Sequence, residues 1–352
     1  MPRLRRADCS TPGIRRVRKG RGFTYLDADG RRVDEPELMD RIAHLAIPPA
    51  WRDVWICPYP NGHLQATGTD AAGRKQYRYH DEWRRRQDQA KFDEMLCFAR
   101  ALPDLRGRVA EDLAASEEIT RERALACAVR LLDRGFFRIG SEDYAAHNET
   151  FGLATMRKEH ARLEPGNAVV FDYVAKSGKH RVQAVTDPDV HEILGRLKRR
   201  RGGGPELLAY REGSVWRDIR SPDINLYIKD ATGADYSAKD FRTWNATVLA
   251  AVGLGVAGEV AGSRSGRKRA INRAVKEVAH YLGNTPAVCR ASYIDPRIFD
   301  AYQAGVTIGP ALRELAETLE PGELPIHHPT IERAVIDLVS EKEDSAVLEK
   351  VA

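Results

Sequence analysis

The string LGNTPAVCRASY (Leu282–Tyr293) ends in a tyrosine nine places after Asn284. A phenol, with an ordinary pKa of about 10, is a poor nucleophile at neutral pH unless cations hold it as the phenolate. Attack on a phosphodiester also builds negative charge around phosphorus and needs an acid for the departing oxygen. A nucleophilic tyrosine therefore requires guanidinium and ammonium groups folded in from elsewhere; a tyrosine simply packed beside a helix is the other reading. Candidate partners are Arg138 in FFRIG, Lys176 and Lys179 on either side of the turn in YVAKSGKH, Arg242 in KDFRTW, Asn284 as a hydrogen-bond donor, and Arg290. Taken singly, each reads first as a surface side chain, because the chain carries 56 Lys and Arg and some will fall near aromatics by chance.

These residues need a scaffold, and the periodicity supplies one. Before His80 the chain reads as a small β-rich unit: GFTYLDADGRRV predicts a hairpin at its Asp-Gly step, and VWICPYPNGHLQATGTDAAGRKQYRYH predicts strands parted by turn residues. DEWRRRQDQAKFDEMLCFARAL then opens as a polar linker that becomes a helix, with a domain boundary near residue 85. TRERALACAVRLLDRGFF is an amphipathic helix whose apolar face is Leu125, Val129 and Leu132. AVVFDYVAKSGKHRVQAV reads as a hairpin around Ser177-Gly178, and SAKDFRTWNATVLAAVGL as an apolar helix. In AINRAVKEVAHYLG, Ile271, Val275, Val278 and Leu282 share a face, and Gly283 is placed to end that helix in the left-handed conformation. Thr285-Pro286 is an N-cap and first turn, which leaves Asn284 in a tight corner. The basic strings GRLKRRRGGGPE and SRSGRKRAINR read as surface loops, and the tail SEKEDSAVLEKVA as frayed helix. The expected fold class is α+β: a β-rich domain over 1–85 and a larger, mainly α-helical domain with a β-hairpin over 86–352.

Composition narrows the function. The net charge of +5 is a mild excess: basic surface attracts polyanions, nucleic acid being the commonest, and the other reading is a solvated surface with a chance surplus; 42% hydrophobic residues suffice for packed cores. Cys9, Cys57, Cys97, Cys127 and Cys289 form no C-x-x-C pair, and the histidines show no ligand spacing. Neither a zinc site nor a disulfide framework is expected, which fits a reducing cytoplasm. No Walker motif calls for ATP, and no apolar run suits a signal peptide or a membrane span.

Five strings, in order, resemble the type IB DNA topoisomerases, especially their short viral and bacterial branch: GRKQYRYH, FFRIGSEDYAAHNETFGLATM, YVAKSGKH, KDFRTW and LGNTPAVCRASY. The resemblance implies a tyrosine-recombinase-like catalytic domain. It also implies relaxation of supercoiled duplex DNA by transient single-strand cleavage, without ATP or metal. It assigns Tyr293 as the nucleophile that forms a 3′-phosphotyrosyl link, Arg138 and Arg242 as phosphate clamps, and Lys176 as the general acid. Ala175 and Ser177 stand where the family has glycine and aspartate, so Lys179 stays a second candidate. Asn284 stands where histidine is commonest, which implies a steric and hydrogen-bonding role only. In the N-terminal unit it implies DNA contacts from Arg74, Lys75, Gln76, Tyr77, Arg78 and Tyr79, the alternative being a half-buried strand with its tyrosines inward. Tyr144 would touch DNA near Arg138. The implied partner is double-stranded DNA, clamped by a monomer at the nucleoid. Two other readings share the basic face. One is a tyrosine site-specific recombinase, whose second arginine usually sits in H-x-x-R rather than Lys239-Asp240-Phe241-Arg242; the other is a non-catalytic DNA-binding module.

Overall fold

The computed structural model describes residues 3–258, 263–317, 325–341 and 345–350. The chain divides into two compact units, Met1–Phe92 and Asp93–Ala352.

The first unit is built on a five-stranded antiparallel sheet, with strands β1 (Ile14–Lys19), β2 (Gly22–Leu26), β3 (Arg52–Ile56), β4 (Leu64–Thr69) and β5 (Lys75–Tyr79) in the order β2-β1-β3-β4-β5. Helix α1 (Pro36–His44) covers it, and Ile14, Val33, Ile42, Val54, Ile56 and Ala66 form the core. The hairpin expected within GFTYLDADGRRV is present but short: across the Asp27–Gly30 turn Leu26 bridges Arg32, the Asp27 amide donates to the Arg31 carbonyl and the Val33 amide to that of Tyr25, each at 2.9 Å. The longer partner of β2 is β1, which pairs with it along its whole length. β5 is an edge strand, turned out of β4 by Asp70, whose carboxylate accepts from the backbone of Ala72 and Arg74.

Helix α2 (Asp81–Ala114) starts at once after β5, so the polar opening is helix rather than linker. Glu82 pairs with Arg85 and Arg86 one turn on, which supports a stretch that has little apolar face.

In the second unit the elements run α3 (Arg121–Gly135), α4 (Glu142–Asn148), β6 (Ala161–Glu164), β7 (Ala168–Ala175), β8 (Lys179–Thr186), α5 (Pro188–Arg199), β9 (Ala209–Glu212), β10 (Val215–Asp218), α6 (Ser221–Thr232) and α7 (Ala238–Ala257). They continue as α8 (Arg264–Leu282), α9 (Pro286–Ser292), α10 (Pro296–Gln303), β11 (Val306–Thr307), α11 (Gly309–Ala316), α12 (Pro329–Val339) and β12 (Glu349–Lys350). α7 is apolar almost all round and is the central helix, packed against α3, α8, α10, α11 and α12. Trp244 on α7 is fully buried, and its indole nitrogen donates to Glu332, which with Asp133 holds Arg106. β6, β7 and β8 form a three-stranded sheet in that order.

Three further expectations are corrected. SRSGRKRAINR is the start of α8, capped by the Ser263 side chain. GRLKR closes α5, and Arg200 after it is buried, because its guanidinium donates to the carbonyl of Leu197 in α5 and to those of Glu206 and Leu207 beyond the glycines. The described part of the tail is not helical: Glu349–Lys350 pairs with Val306–Thr307, and Arg313 anchors Glu349 at 2.6 Å. Residues 342–344 and 351–352 lie outside the described ones. Among the described residues no helix is long and apolar enough to cross a membrane.

Candidate active site

α3 ends at Gly135, and the next residue, Phe136, takes the left-handed conformation at φ 54°. For a bulky side chain this costs on the order of 1–3 kcal/mol. The turn points the Phe136 carbonyl at α7, where Arg242 Nη1 donates to it at 2.7 Å. It also carries the chain into the extended piece that bears Arg138. That piece is held by the NETFGLAT string: Leu153 and Ala154 donate to the carbonyls of Arg138 and Ile139, each at 2.8 Å. Gly140, at φ +84°, lies against Gly152 so closely that a Cβ on Gly152 would stand 2.5 Å from the Gly140 Cα.

Arg242 lies in the second turn of α7, which begins with a reciprocal cap between Ser237 and Asp240. It is 4% exposed. Its Nη2 donates to the Leu282 carbonyl at 3.0 Å, the last of α8, and its Nε is buried without a partner. Gly283 ends α8 at φ 65°, as its position in the sequence predicts. Asn284 follows; its Oδ1 accepts from Arg138 Nη2, while its Nδ2 carries no hydrogen bond. The Thr285 side chain then caps α9, and Tyr293 terminates it. The Tyr293 carbonyl accepts from Thr247 on α7, and its half-buried ring lies with its centroid 5.3 Å from the Arg242 guanidinium carbon.

A pocket of about 300 Å³ brings Arg138, Thr150, Lys176, Lys239, Arg242 and Tyr293 together. Lys176 enters it from the β7–β8 hairpin, where Ala175 pairs with Lys179 across the loop Lys176-Ser177-Gly178. Ser177 and Gly178 both have positive φ, at 67° and 68°. Lys179 faces a different cavity, of about 700 Å³, with its Nζ 3.5 Å from the Gly283 carbonyl. Arg290 is exposed and lies over the Phe299 ring, outside the Tyr293 pocket.

The electrostatics follow from this arrangement. Burial pushes the Tyr293 phenol up, but the charges of Arg242 and Arg138, with Lys239 behind them, outweigh burial and hold it below its ordinary 10.0. Burial, followed by the nearby Arg138 charge, lowers the pKa of Arg242. Lys239 escaped the sequence reading, whereas Thr150 belongs to the Asn148-Glu149-Thr150 stretch, which reads as a DNA contact near Arg138 or as a helix cap. Thr150 Oγ1 is buried without a partner. Lys239 lies three residues before Arg242, the helical spacing that would have flagged it.

In the N-terminal unit the strand alternation splits the six singled-out residues. Lys75, Tyr77 and Tyr79 are exposed on one face of β5, and the two rings stack with centroids 6.0 Å apart. Arg74 and Gln76 bind Asp70, and Arg78 donates to the Ala46 carbonyl beside Trp51. The side chain of Tyr144, on α4, lies outside the described residues. Among the described residues no three His, Cys, Asp or Glu side chains are grouped to hold a metal ion.

The family model of the eukaryotic DNA topoisomerase I catalytic core matches residues 80–318, and that of the bacterial DNA topoisomerase IB N-terminal domain matches residues 22–70. The chain belongs to the type IB DNA topoisomerases. This type IB topoisomerase is 29% identical to DNA topoisomerase 1B of Acanthamoeba polyphaga mimivirus over 83% of the chain and 88% of that protein. It is 30% identical to DNA topoisomerase 1 of Schizosaccharomyces pombe over 46% of the chain, which is 19% of that much longer protein. The matched core contains Arg138, Lys176, Arg242, Asn284 and Tyr293. Residues 71–79, with the stacked tyrosines, fall between the two matched segments.

Proposed function

We propose that Tyr293 is the nucleophile with which this topoisomerase cuts and reseals one strand of duplex DNA. The phenolate oxygen bonds to phosphorus, the bond from phosphorus to the 5′-oxygen breaks, and that oxygen takes a proton from the Lys176 ammonium. A 3′-phosphotyrosyl link keeps the energy of the broken ester, so resealing by the 5′-hydroxyl is the same path reversed and needs no ATP or metal. Arg242 and Arg138 neutralise the non-bridging oxygens as charge builds on them. Asn284 orients Arg138 through its carbonyl oxygen and keeps its amide for a phosphate oxygen. Lys75, Tyr77 and Tyr79 bind the duplex, cation to phosphate and rings to sugar or base edges, with Tyr144 adding a contact near the cut. The protein acts as a monomer that clamps DNA, and its catalytic unit has the tyrosine-recombinase-like architecture.

The observation that carries this reading is the convergence of Arg138, Lys176 and Arg242 on the Tyr293 pocket, with Arg242 Nε still unpaired. Lys176 is preferred to Lys179 because it shares that pocket and Lys179 does not. The test is relaxation of supercoiled plasmid in EDTA without ATP. Tyr293→Phe should retain DNA binding and lose both relaxation and the covalent adduct that survives denaturation. An adduct mapped to any other residue overturns the assignment.

A further inference from the structure

The last carbonyls of a helix have no partner within the helix and must find one elsewhere. Here two helices, α3 and α8, have their ends capped by the same side chains. Arg242 bridges Phe136 and Leu282. One residue earlier at each helix end lies a parallel bridge. Gln183 Nε2 donates to the Gly135 carbonyl at 2.6 Å, and Gln183 Oε1 accepts from Arg181 Nη2 at 2.8 Å. The same Arg181 nitrogen donates to the Tyr281 carbonyl at 2.7 Å, and Nη1 to that of His280 at 3.4 Å. The guanidinium fills the space beside Gly283, where a Cβ would meet Nη1 at 2.2 Å. Both bridging residues belong to β8, the strand that with β7 carries Lys176 at its tip, and Tyr173 of β7 is the cross-strand neighbour of Arg181.

We propose that Arg181 and Gln183 are positioning residues that register the Lys176 hairpin against the helix ends bearing Arg138 and Asn284. The inference rests on the reading of Lys176 as the proton donor. The division of labour is specific. With the β8 bridge cut, the Arg242 bridge still joins α3 to α8, so the phosphate clamp and DNA affinity persist. What is lost is the placement of the Lys176 ammonium at the leaving oxygen.

The full chain carrying Gln183→Met, and separately Arg181→Lys, is tested in single-turnover cleavage of two duplexes. One has an ordinary scissile phosphodiester, and the other has sulfur in place of the bridging 5′-oxygen. A thiolate departs without being protonated, so the second duplex does not need the acid. Gln183→Met should slow the ordinary duplex about tenfold to a hundredfold, the cost of a misplaced group, with unchanged Kd and a near-wild-type rate on the sulfur duplex. Arg181→Lys, which keeps the charge but loses the planar fork, should behave alike. Lys176→Ala should lose about 10²–10⁴-fold with the same rescue, and Gln183→Met should add nothing to it. Equal slowing on both duplexes, or none on either, overturns the positioning role. If Lys176→Ala itself is not rescued, the reading of Lys176 fails; the double variant then decides whether the bridge acts through the hairpin tip, and additive losses overturn it.

Discussion

A phenol in a half-buried site would ordinarily be harder to ionise; here two guanidinium groups reverse the sign. Their work is visible in a titration. The single-turnover cleavage rate should climb with pH as Tyr293 deprotonates, and the midpoint should lie below the ordinary 10.0, because Arg242 and Arg138 stabilise the phenolate more than burial penalises it. Removing one of those charges must move the midpoint up. Arg138→Gln should therefore shift it towards 10.0, apart from whatever it does to the plateau. A midpoint that stays put in Arg138→Gln would separate the guanidinium from the activation of the phenol. Arg242 is less informative to mutate, because its two carbonyl partners make it a structural bridge as well as a charge.

The elements explain why the charges meet. Gly140 and Gly152 touch backbone to backbone, which brings the NETFGLAT segment into hydrogen-bonding reach of Arg138 and Ile139. A methyl group at residue 152 would meet the Gly140 backbone at 2.5 Å and the Arg138 carbonyl at 2.8 Å. Gly152→Ala should lower stability by about 1–3 kcal/mol, read as a fall in Tm, and slow cleavage by displacing Arg138. Gly107→Ala is the matched control: it lies in α2 with open space around it, and should raise Tm slightly by helix propensity. If both glycines tolerate the methyl equally, the close approach is not holding Arg138. Much of this was readable beforehand. The 3.6-residue spacing gave α3, α7 and α8, the β-branched run gave the β7–β8 hairpin, and Gly283 with Thr285-Pro286 gave the corner at Asn284. What periodicity could not give was set by distant partners. Phe136 turns left-handed where Arg242 caps its carbonyl, Arg200 leaves a charge run for the interior because a loop wraps carbonyls around it, and the tail pairs with β11 through Glu349.

For the whole molecule, acid is a point of weakness and salt a lever. His327 lies near the Phe136 ring with both ring nitrogens buried and neither hydrogen-bonded, and this burial lowers its pKa below 6.5 despite the opposing pull of Asp133. The unfolded chain thus takes up a proton near pH 6.5 that the folded chain refuses. The His327 contribution is complete above that pH and is lost as pH falls through the lower, folded value. His327→Leu should flatten that part of the stability curve measured by urea denaturation, and an unchanged slope would show that the ring is protonated in place. On the proposed reading, the exposed face of β5 acts on binding instead. Lys75 is exposed there, with only a 3.5 Å contact to Cys9 Sγ and the Tyr77 ring beside it, while Arg74 is paired with Asp70 and Arg78 donates to the Ala46 carbonyl. Lys75→Gln should lower the slope of log affinity against log salt by about one, as expected for a single phosphate contact. Tyr77→Ala should weaken binding with little change in that slope, because a stacked ring releases no counterion. Neither should alter the single-turnover rate on saturating DNA, since neither residue lines the Tyr293 pocket. A rate that falls at saturation would mean that β5 takes part in assembling the reactive complex, and the separation of grip from chemistry between the two units would have to be abandoned.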